Sequence, residues 1–318
     1  VWEWHLWDHL IQDVDPDLPN YGVISDHPEL QDINYGNAGS NGGPGGANGD
    51  WKHFNAVAYN EDLDQIALSS RFHDEIYIID HSTTTEEAAG HTGGNSGMGG
   101  DFLYRWGNPH SYNRGSDLDR VLDDQHSVNW IPEGYPGAGN LILFNNNYGS
   151  NSAVFEIVTP INEEGTYSIS PGQPYGPVEP IWIHTGPFHT QMQGGAFRLP
   201  NGNTLITDCN DATIFEVTYD HETVWTNDFS SGAGPSFIAR AQKYSMNYLG
   251  GEDPDYVHGD VNFDGLVDLQ DGLMVSDMAS GFGYAPNSQA DFNDNGAVSV
   301  DDAVQIMIYI ICLLYTSD

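Results

Sequence analysis

HSVNWIPEGYPGAGNLILFNNNYGSNSAVFEIV, residues 126–158, breaks into three short apolar runs separated by Gly, Asn and Pro. HSVNWIP, GNLILFNNN and SAVFEIV are each rich in Val, Ile, Leu or Phe, and PVEPIWIH follows at 177–184. Runs of this length and composition, punctuated this way, read as four strands of one small antiparallel sheet. The pattern recurs downstream as HTQMQGGAFRLP, GNTLITDCN, ATIFEVTYD and ETVWTN. Upstream it recurs as HFNAVAYN, DQIALSSR, DEIYIIDHS and FLYRWGN. A Trp closes each repeat, at Trp106, Trp182 and Trp225, and Trp2 and Trp4 read as the closing strand of an earlier one. Four short strands per repeat is the signature of a β-propeller. A β-sandwich is the rival, but it does not normally repeat a closing tryptophan.

A histidine marks each repeat. His126 lies 14 residues before Asn140, and His189 lies 14 before Asn203. His53 opens the first and most divergent copy, with Arg71 a further 18 residues on. Histidines presented from one strand position of successive blades can converge on a central channel. A neutral imidazole is a nucleophile near neutral pH, and a guanidinium can hold developing oxyanions with a two-pronged grip. On spacing alone these side chains could equally be structural, bonding blade to blade. A histidine metal site is weakened by the lack of an HxH or HExxH pair.

Three blades close a ring poorly, so the expected fold is all-β, an incomplete propeller, with FIARAQKYSMNYLG (237–250) a candidate closing strand. Two Gly-rich insertions, 36–50 and 86–101, lack the Gly-Lys-Ser/Thr ending of a phosphate loop and read as surface loops around a channel mouth.

The 318 residues hold 46 acidic and 8 basic side chains, a formal charge of -38. Such a chain repels nucleic acid and anionic membranes, so neither is expected as a partner. No apolar run reaches the length of a spanning helix. Two cysteines, Cys209 and Cys312, make no disulfide framework. The chain opens at Val1 in mid-pattern, and its last seven residues, CLLYTSD (312–318), read as a translated sequencing adapter.

The C-terminal part has a different pattern. In DVNFDGLVDLQD, Asp260, Asn262, Asp264, Asp268 and Asp271 fall at positions 1, 3, 5, 9 and 12 of an EF-hand loop. Leu266 would give its carbonyl at position 7. DFNDNGAVSVDD repeats this with Asp291, Asn293, Asn295, Ser299 and Asp302, and with Ala297 at position 7. Hard oxygen ligands at this spacing fit Ca2+. Each loop is followed by a single amphipathic helix.

Two family resemblances follow. DWKHFNAVAYNEDLDQIALSSRFHDEIYIID and DQHSVNWIP…GNLILFNNN resemble the bacterial arylsulfate sulfotransferases, over about residues 1–245. That resemblance implies a six-bladed propeller, of which about three blades are present, and no nucleotide sulfate donor. It matches His126 to the histidine that is transiently sulfurylated, His53 to an assisting channel histidine, and Arg71 to the arginine that holds the sulfuryl oxygens. A further family histidine would lie upstream of Val1, and His189 matches none. The acidic repeats, 258–311, resemble a dockerin type I pair, a small α-helical, EF-hand-like module that docks secreted enzymes onto cohesin partners, often in polysaccharide degradation. The expected organisation is therefore a partial propeller over 1–250, a calcium-binding dockerin over 258–311, and the adapter. The expected activity is sulfuryl transfer from an aryl sulfate to a phenol, in a protein secreted to the periplasm or outside the cell. A non-catalytic propeller displayed on a cohesin scaffold is the alternative.

Overall fold

The computed structural model describes residues 1–36, 42–43, 46–47, 49–230, 237–244, 258–262, 266–281, 289–293 and 295–315. Two minor pairs come first: β1 (Leu10–Ile11) runs parallel to β2 (Gln31–Asp32), and β3 (Gly42–Gly43) antiparallel to β4 (Gly46–Ala47). Three four-stranded antiparallel meanders follow. The first is β5 (Phe54–Asn60), β6 (Gln65–Ser70), β7 (Glu75–Asp80) and β8 (Phe102–Trp106). The second is β9 (His126–Trp130), β10 (Leu141–Tyr148), β11 (Asn151–Ile157) and β12 (Trp182–Thr185). The third is β13 (Gly195–Arg198), β14 (Thr204–Asp208), β15 (Thr213–Val217) and β16 (Thr223–Asp228). Each of these twelve strands lies within a run marked out by the sequence, to within one residue at its ends. The architecture is all-β and propeller-like in this part, with no closed barrel among the described residues.

Side-chain alternation explains how the sheets stack. Leu141 and Leu143 of β10 pack toward Ile76, Ile78 and Trp106 of the first sheet. Their neighbours Ile142 and Phe144 face Ala196, Ile206 and Phe215 of the third. Successive strand residues point to opposite faces, so a strand buried on both faces reads as an unbroken apolar run. The first strand of the second sheet, β9, packs against β5 on one side and β13 on the other. First strands therefore sit together, and the fourth strands lie outermost.

The closing tryptophans work between sheets. Trp106 Nε1 donates to the Pro177 carbonyl at 2.7 Å, and Trp182 Nε1 to that of Tyr219 at 2.8 Å. Both are buried, whereas Trp225 on β16 is 47% exposed. A closing Trp is thus covered only where another sheet follows. Trp2 and Trp4 do not continue this pattern. Residues 1–5 form no strand; Trp2 and Trp4 instead pack against the face of the first sheet, near Leu68, Ile79 and Phe102. Residues 237–244 form no strand either, so the expected closing strand is not seen there; 245–250 lie outside the described residues. The segment is nonetheless held to the third sheet, through Ile238 N to Cys209 O and Gly194 N to Ala239 O.

One interface carries a pH dependence. His184 of β12 is stacked with Trp182 and His221, and its Nδ1 is 3.3 Å from His221 Nδ1. Burial, then the neighbouring His221, lowers the His184 imidazole to about 4 from its ordinary 6.5. Between those values the unfolded chain holds more protons than the folded one, so stability falls as pH drops from 6.5 toward 4. Denaturation midpoints across that window should fall less steeply in His184→Phe than in the parent.

The C-terminal part holds α2 (Leu269–Ala279) and α3 (Val300–Tyr315). They pack together around Val261, Met274, Val275, Ala303 and Ile306. No described helix is long and apolar enough to cross a membrane.

Candidate active site

Local backbone geometry builds the site. Strand β6 ends at Ser70 and turns sharply through Arg71–His73, a 3-10 turn, so Arg71 lies just beyond the strand rather than on it. Strand β9 begins at His126 alongside it. Gln125 locks the two together, its Nε2 donating to the carbonyls of Ser70 (3.0 Å) and Glu75 (2.9 Å). Asn55 on β5 donates to the Gln125 carbonyl at 2.8 Å.

His126 is 6% exposed, and its tautomer follows from its neighbours. Asn146 Nδ2 donates to the carbonyls of Thr190 and Gln193, both at 2.9 Å, which turns its Oδ1 toward the imidazole. His126 Nδ1 meets that Oδ1 at 2.8 Å and the Asp124 carbonyl at 2.9 Å. Both are acceptors, so Nδ1 carries the proton. Nε2 accepts from the Gln193 N–H at 3.2 Å and so carries the lone pair. Burial holds the imidazole below its ordinary range, and the charge of Arg71 adds to this against the Asn146 hydrogen bond. His126 is therefore neutral at neutral pH, with its nucleophilic nitrogen defined.

Arg71 Nη2 donates to Asp124 Oδ2 at 2.8 Å and to the Gln191 carbonyl at 3.5 Å, while its buried Nε has no partner. Asp124 thus ties Arg71 to His126, by its side chain to one and its carbonyl to the other. Asp124, Ser127, Gln193 and His53 all take positive φ, at 58°, 60°, 61° and 48°. Such conformations cost about 1–3 kcal/mol each in non-glycine residues and concentrate at functional sites. Around this point, Asn55 Oδ1, Gln125 Oε1 and Ser127 Oγ are also buried without partners. Arg120 and Arg71 neutralise a nearby carboxylate group of Asp74, Asp123 and Asp124.

The other two histidines stand differently. His53 precedes β5 by one residue, and its carbonyl accepts from Arg71 N at 3.2 Å. Its ring turns away to Asp50, with Nδ1 2.5 Å from Oδ2, and lies tilted against Phe72 at 4.9 Å. His189 does not share the strand position of His126. It precedes β13 by six residues, lies exposed, and touches Asn147 at 3.4 Å. The equal 14-residue spacings arise from unequal parts. The β9–β10 connection runs over 131–140 and the β13–β14 connection over 199–203. Sequence reasoning missed Asp124, Asn146 and Gln193. The run Asn145-Asn146-Asn147 inside a strand was the available signal, since Asn is disfavoured there.

Near the C-terminus the two acidic loops are built alike. Asp268 caps α2, and Asp271 accepts from the backbone N–H groups of Val261, Asn262 and Asp268. Asp302 likewise accepts from Asn293 and Ser299. Asp291 accepts from Asn295 and Gly296, closing the turn of the second loop. Asp260 is buried and Leu266 exposed; Asp264 lies outside the described residues. The donor set of both loops is all oxygen, as Ca2+ requires.

A buried histidine and an arginine are thus tied together through Asp124 where the first two sheets adjoin. The arylsulfotransferase (ASST) family model matches residues 1–168, more than half of the chain, and the chain belongs to that family. Membership carries aryl sulfotransfer at the level of the family. No curated protein matches the chain significantly. Among solved structures, a protein of unknown function from Bacteroides caccae is 11% identical over 55% of this chain and 45% of that one, with a TM-score of 0.31. Virginiamycin B lyase from Staphylococcus aureus is 11% identical over 57% and 56%, with a TM-score of 0.25. The chain spans about half the length of these two structures.

Proposed function

We propose that the protein transfers a sulfuryl group from an aryl sulfate to a phenol through a sulfohistidine at His126. The supporting observation is the fixed tautomer, which puts the nucleophilic lone pair on Nε2, where it accepts from the Gln193 N–H. Nε2 attacks sulfur, an N–S bond forms, and the S–O bond to the aryl group breaks, releasing the phenolate. A phenol oxygen then attacks the same sulfur, the N–S bond breaks, and the phenol proton passes to solvent. Arg71 offsets charge on the sulfuryl oxygens, assisted by His53 once it leaves Asp50. The Gln193 N–H must release Nε2 first, and is then free to donate to a sulfuryl oxygen. No nucleotide donor enters the cycle. Full-length protein incubated with an aryl sulfate should carry a sulfuryl adduct on His126, located by peptide mass spectrometry. An adduct elsewhere, or none during turnover, would reject the assignment.

Asn146 sets the tautomer in this reading. Asn146→Ala should lower kcat by roughly 10^2-fold or more, as expected when a catalytic imidazole loses its orienting partner, with KM nearly unchanged.

The amide covering Nε2 and the His53–Asp50 contact favour a second reading, a non-catalytic ligand- or partner-binding propeller. The absence of aryl-sulfate turnover in the full-length protein would select it.

The acidic repeats are proposed as a Ca2+-binding dockerin that tethers a secreted protein to a cohesin partner. Its support is the duplicated loop-and-helix build, with Asp271 and Asp302 in matching roles. Chelating Ca2+ should abolish the helical signal of α2 and α3 and leave the β-sheet signal unchanged. An unchanged helical signal would count against it.

A further inference from the structure

We propose that His9, His91 and Asp101 form a zinc-type divalent metal site, remote from His126, that staples the N-terminal segment to the 86–101 insertion. Strand β7 starts beside Arg71–His73 and ends at Asp80, so the insertion that follows lies at the opposite end of the sheet from Arg71. It carries α1 (Thr85–Ala88), whose capping box is made by Thr84 and Glu87. It therefore forms a built structure away from the His126 end of the sheets.

His9 is fully buried. Its Nε2 lies 2.9 Å from the Ala88 carbonyl, and its Nδ1 lies 2.7 Å from Asp101 Oδ1. A carbonyl only accepts, so Nε2 carries a proton. With Nε2 so occupied, Nδ1 faces the Asp101 carboxylate oxygen, and what lies between the two is either a second proton or a metal ion. His91 brings a third ligand atom: its Nδ1 is 2.8 Å from the same Oδ1 and 3.1 Å from Oδ2. The three ligand atoms lie within 4.8 Å of one another. Two imidazoles and a carboxylate are the donor types zinc prefers, with a fourth position left for water. Zinc bonds of about 2.0–2.1 Å set tetrahedral ligands about 3.3 Å apart. Opening the cluster by roughly half an ångström therefore admits the ion, and the exposed His91 can supply that movement.

The surroundings fit the role. The Ala88 carbonyl fixes the His9 tautomer, the usual outer partner of a metal-bound histidine. Trp4 stacks flat on His9 at 5.6 Å and donates to the Gly100 carbonyl at 2.7 Å. Gly100 has to be glycine, because a Cβ there would come within 2.1 Å of the Ala88 carbonyl oxygen and 2.6 Å of His9 Nε2. His91 also lines a cavity of about 400 Å³ with Trp7, Tyr21 and His27, an entry path for the ion.

The test is calorimetric titration of metal-stripped protein with Zn2+, in excess Ca2+ so that the acidic loops are filled. One Zn2+ per chain is expected, with a rise in melting temperature and a tetrahedral visible spectrum when Co2+ replaces it. His91→Ala, an exposed change that leaves the fold intact, should weaken Zn2+ binding at least about 10-fold, and Asp101→Asn should do the same. His27→Ala should leave it unchanged. The absence of Zn2+ uptake would mean that a second proton on His9 holds the cluster instead, and would overturn the proposal. Uptake unaffected by His91→Ala and Asp101→Asn would overturn it too.

Discussion

Replacing His126 by alanine in the full-length protein should lower kcat for aryl-sulfate turnover by on the order of 10^4-fold or more, the scale seen when a covalent nucleophile is removed. The fold should survive. His126 opens β9 at the sheet edge, and the neighbouring contacts of Gln125 do not involve its ring. Steady-state kinetics and a circular dichroism spectrum of the variant check the two halves of this expectation. Turnover within 10-fold of the parent would move the chemistry elsewhere. His53→Ala should cost far less, because its ring rests on Asp50 and Phe72 and must turn to assist. Comparing the two variants separates nucleophile from helper, which repeat position alone could not do.

The second large effect is on stability. Arg105 on β8 is fully buried and grips Glu75 on β7 with two parallel bonds, Nε to Oε1 at 2.9 Å and Nη2 to Oε2 at 2.7 Å. Its remaining donors reach the Leu30 carbonyl (2.9 Å) and Ser111 Oγ (2.8 Å). Tyr77 donates to Glu75 and accepts from Lys52, whose ammonium burial holds well below the usual lysine range. Arg105→Met leaves a buried carboxylate without its cation. Breaking such a pair costs about 3–5 kcal/mol, whereas replacing both partners with apolar residues can be neutral. Arg105→Met should therefore shift the denaturation midpoint sharply, and Arg105→Met/Glu75→Leu should recover part of the loss. A single-variant loss under about 1 kcal/mol would mean that entering water solvates, or a proton neutralises, the Glu75 carboxylate once Arg105 is gone.

All twelve meander strands were legible beforehand. Their apolar, β-branched runs end at Gly, Asn and Pro, and burial on one or both faces demands that composition wherever the strand sits. The recurrence of Trp106 and Trp182 at the ends of repeats was legible too, whereas their bonding to the next repeat came only from the structure. His189 shows where such reading stops. Counting residues from a histidine to a Gly-Asn pair cannot divide that count between strand and hairpin, and the division decides which way the side chain faces. Trp2 and Trp4 fail similarly, because a closing strand and a segment laid across a sheet face expose the same residues to the same apolar surface.

The site divides along the same line. Composition and spacing alone marked out three β repeats and two oxygen-ligand loop patterns, because these depend on local period and residue chemistry; the joint roles of His126 and Arg71 came only from the family resemblance. Which nitrogen of His126 is bare, which way His53 points, and the meeting of His9 with His91 and Asp101 were decided by packing. Those facts rest on Asn146 with His126, Asp50 with His53, and Ala88 with His9. Partners that lie 79 positions apart in the chain, as His9 and Ala88 do, leave no spacing for a sequence to display.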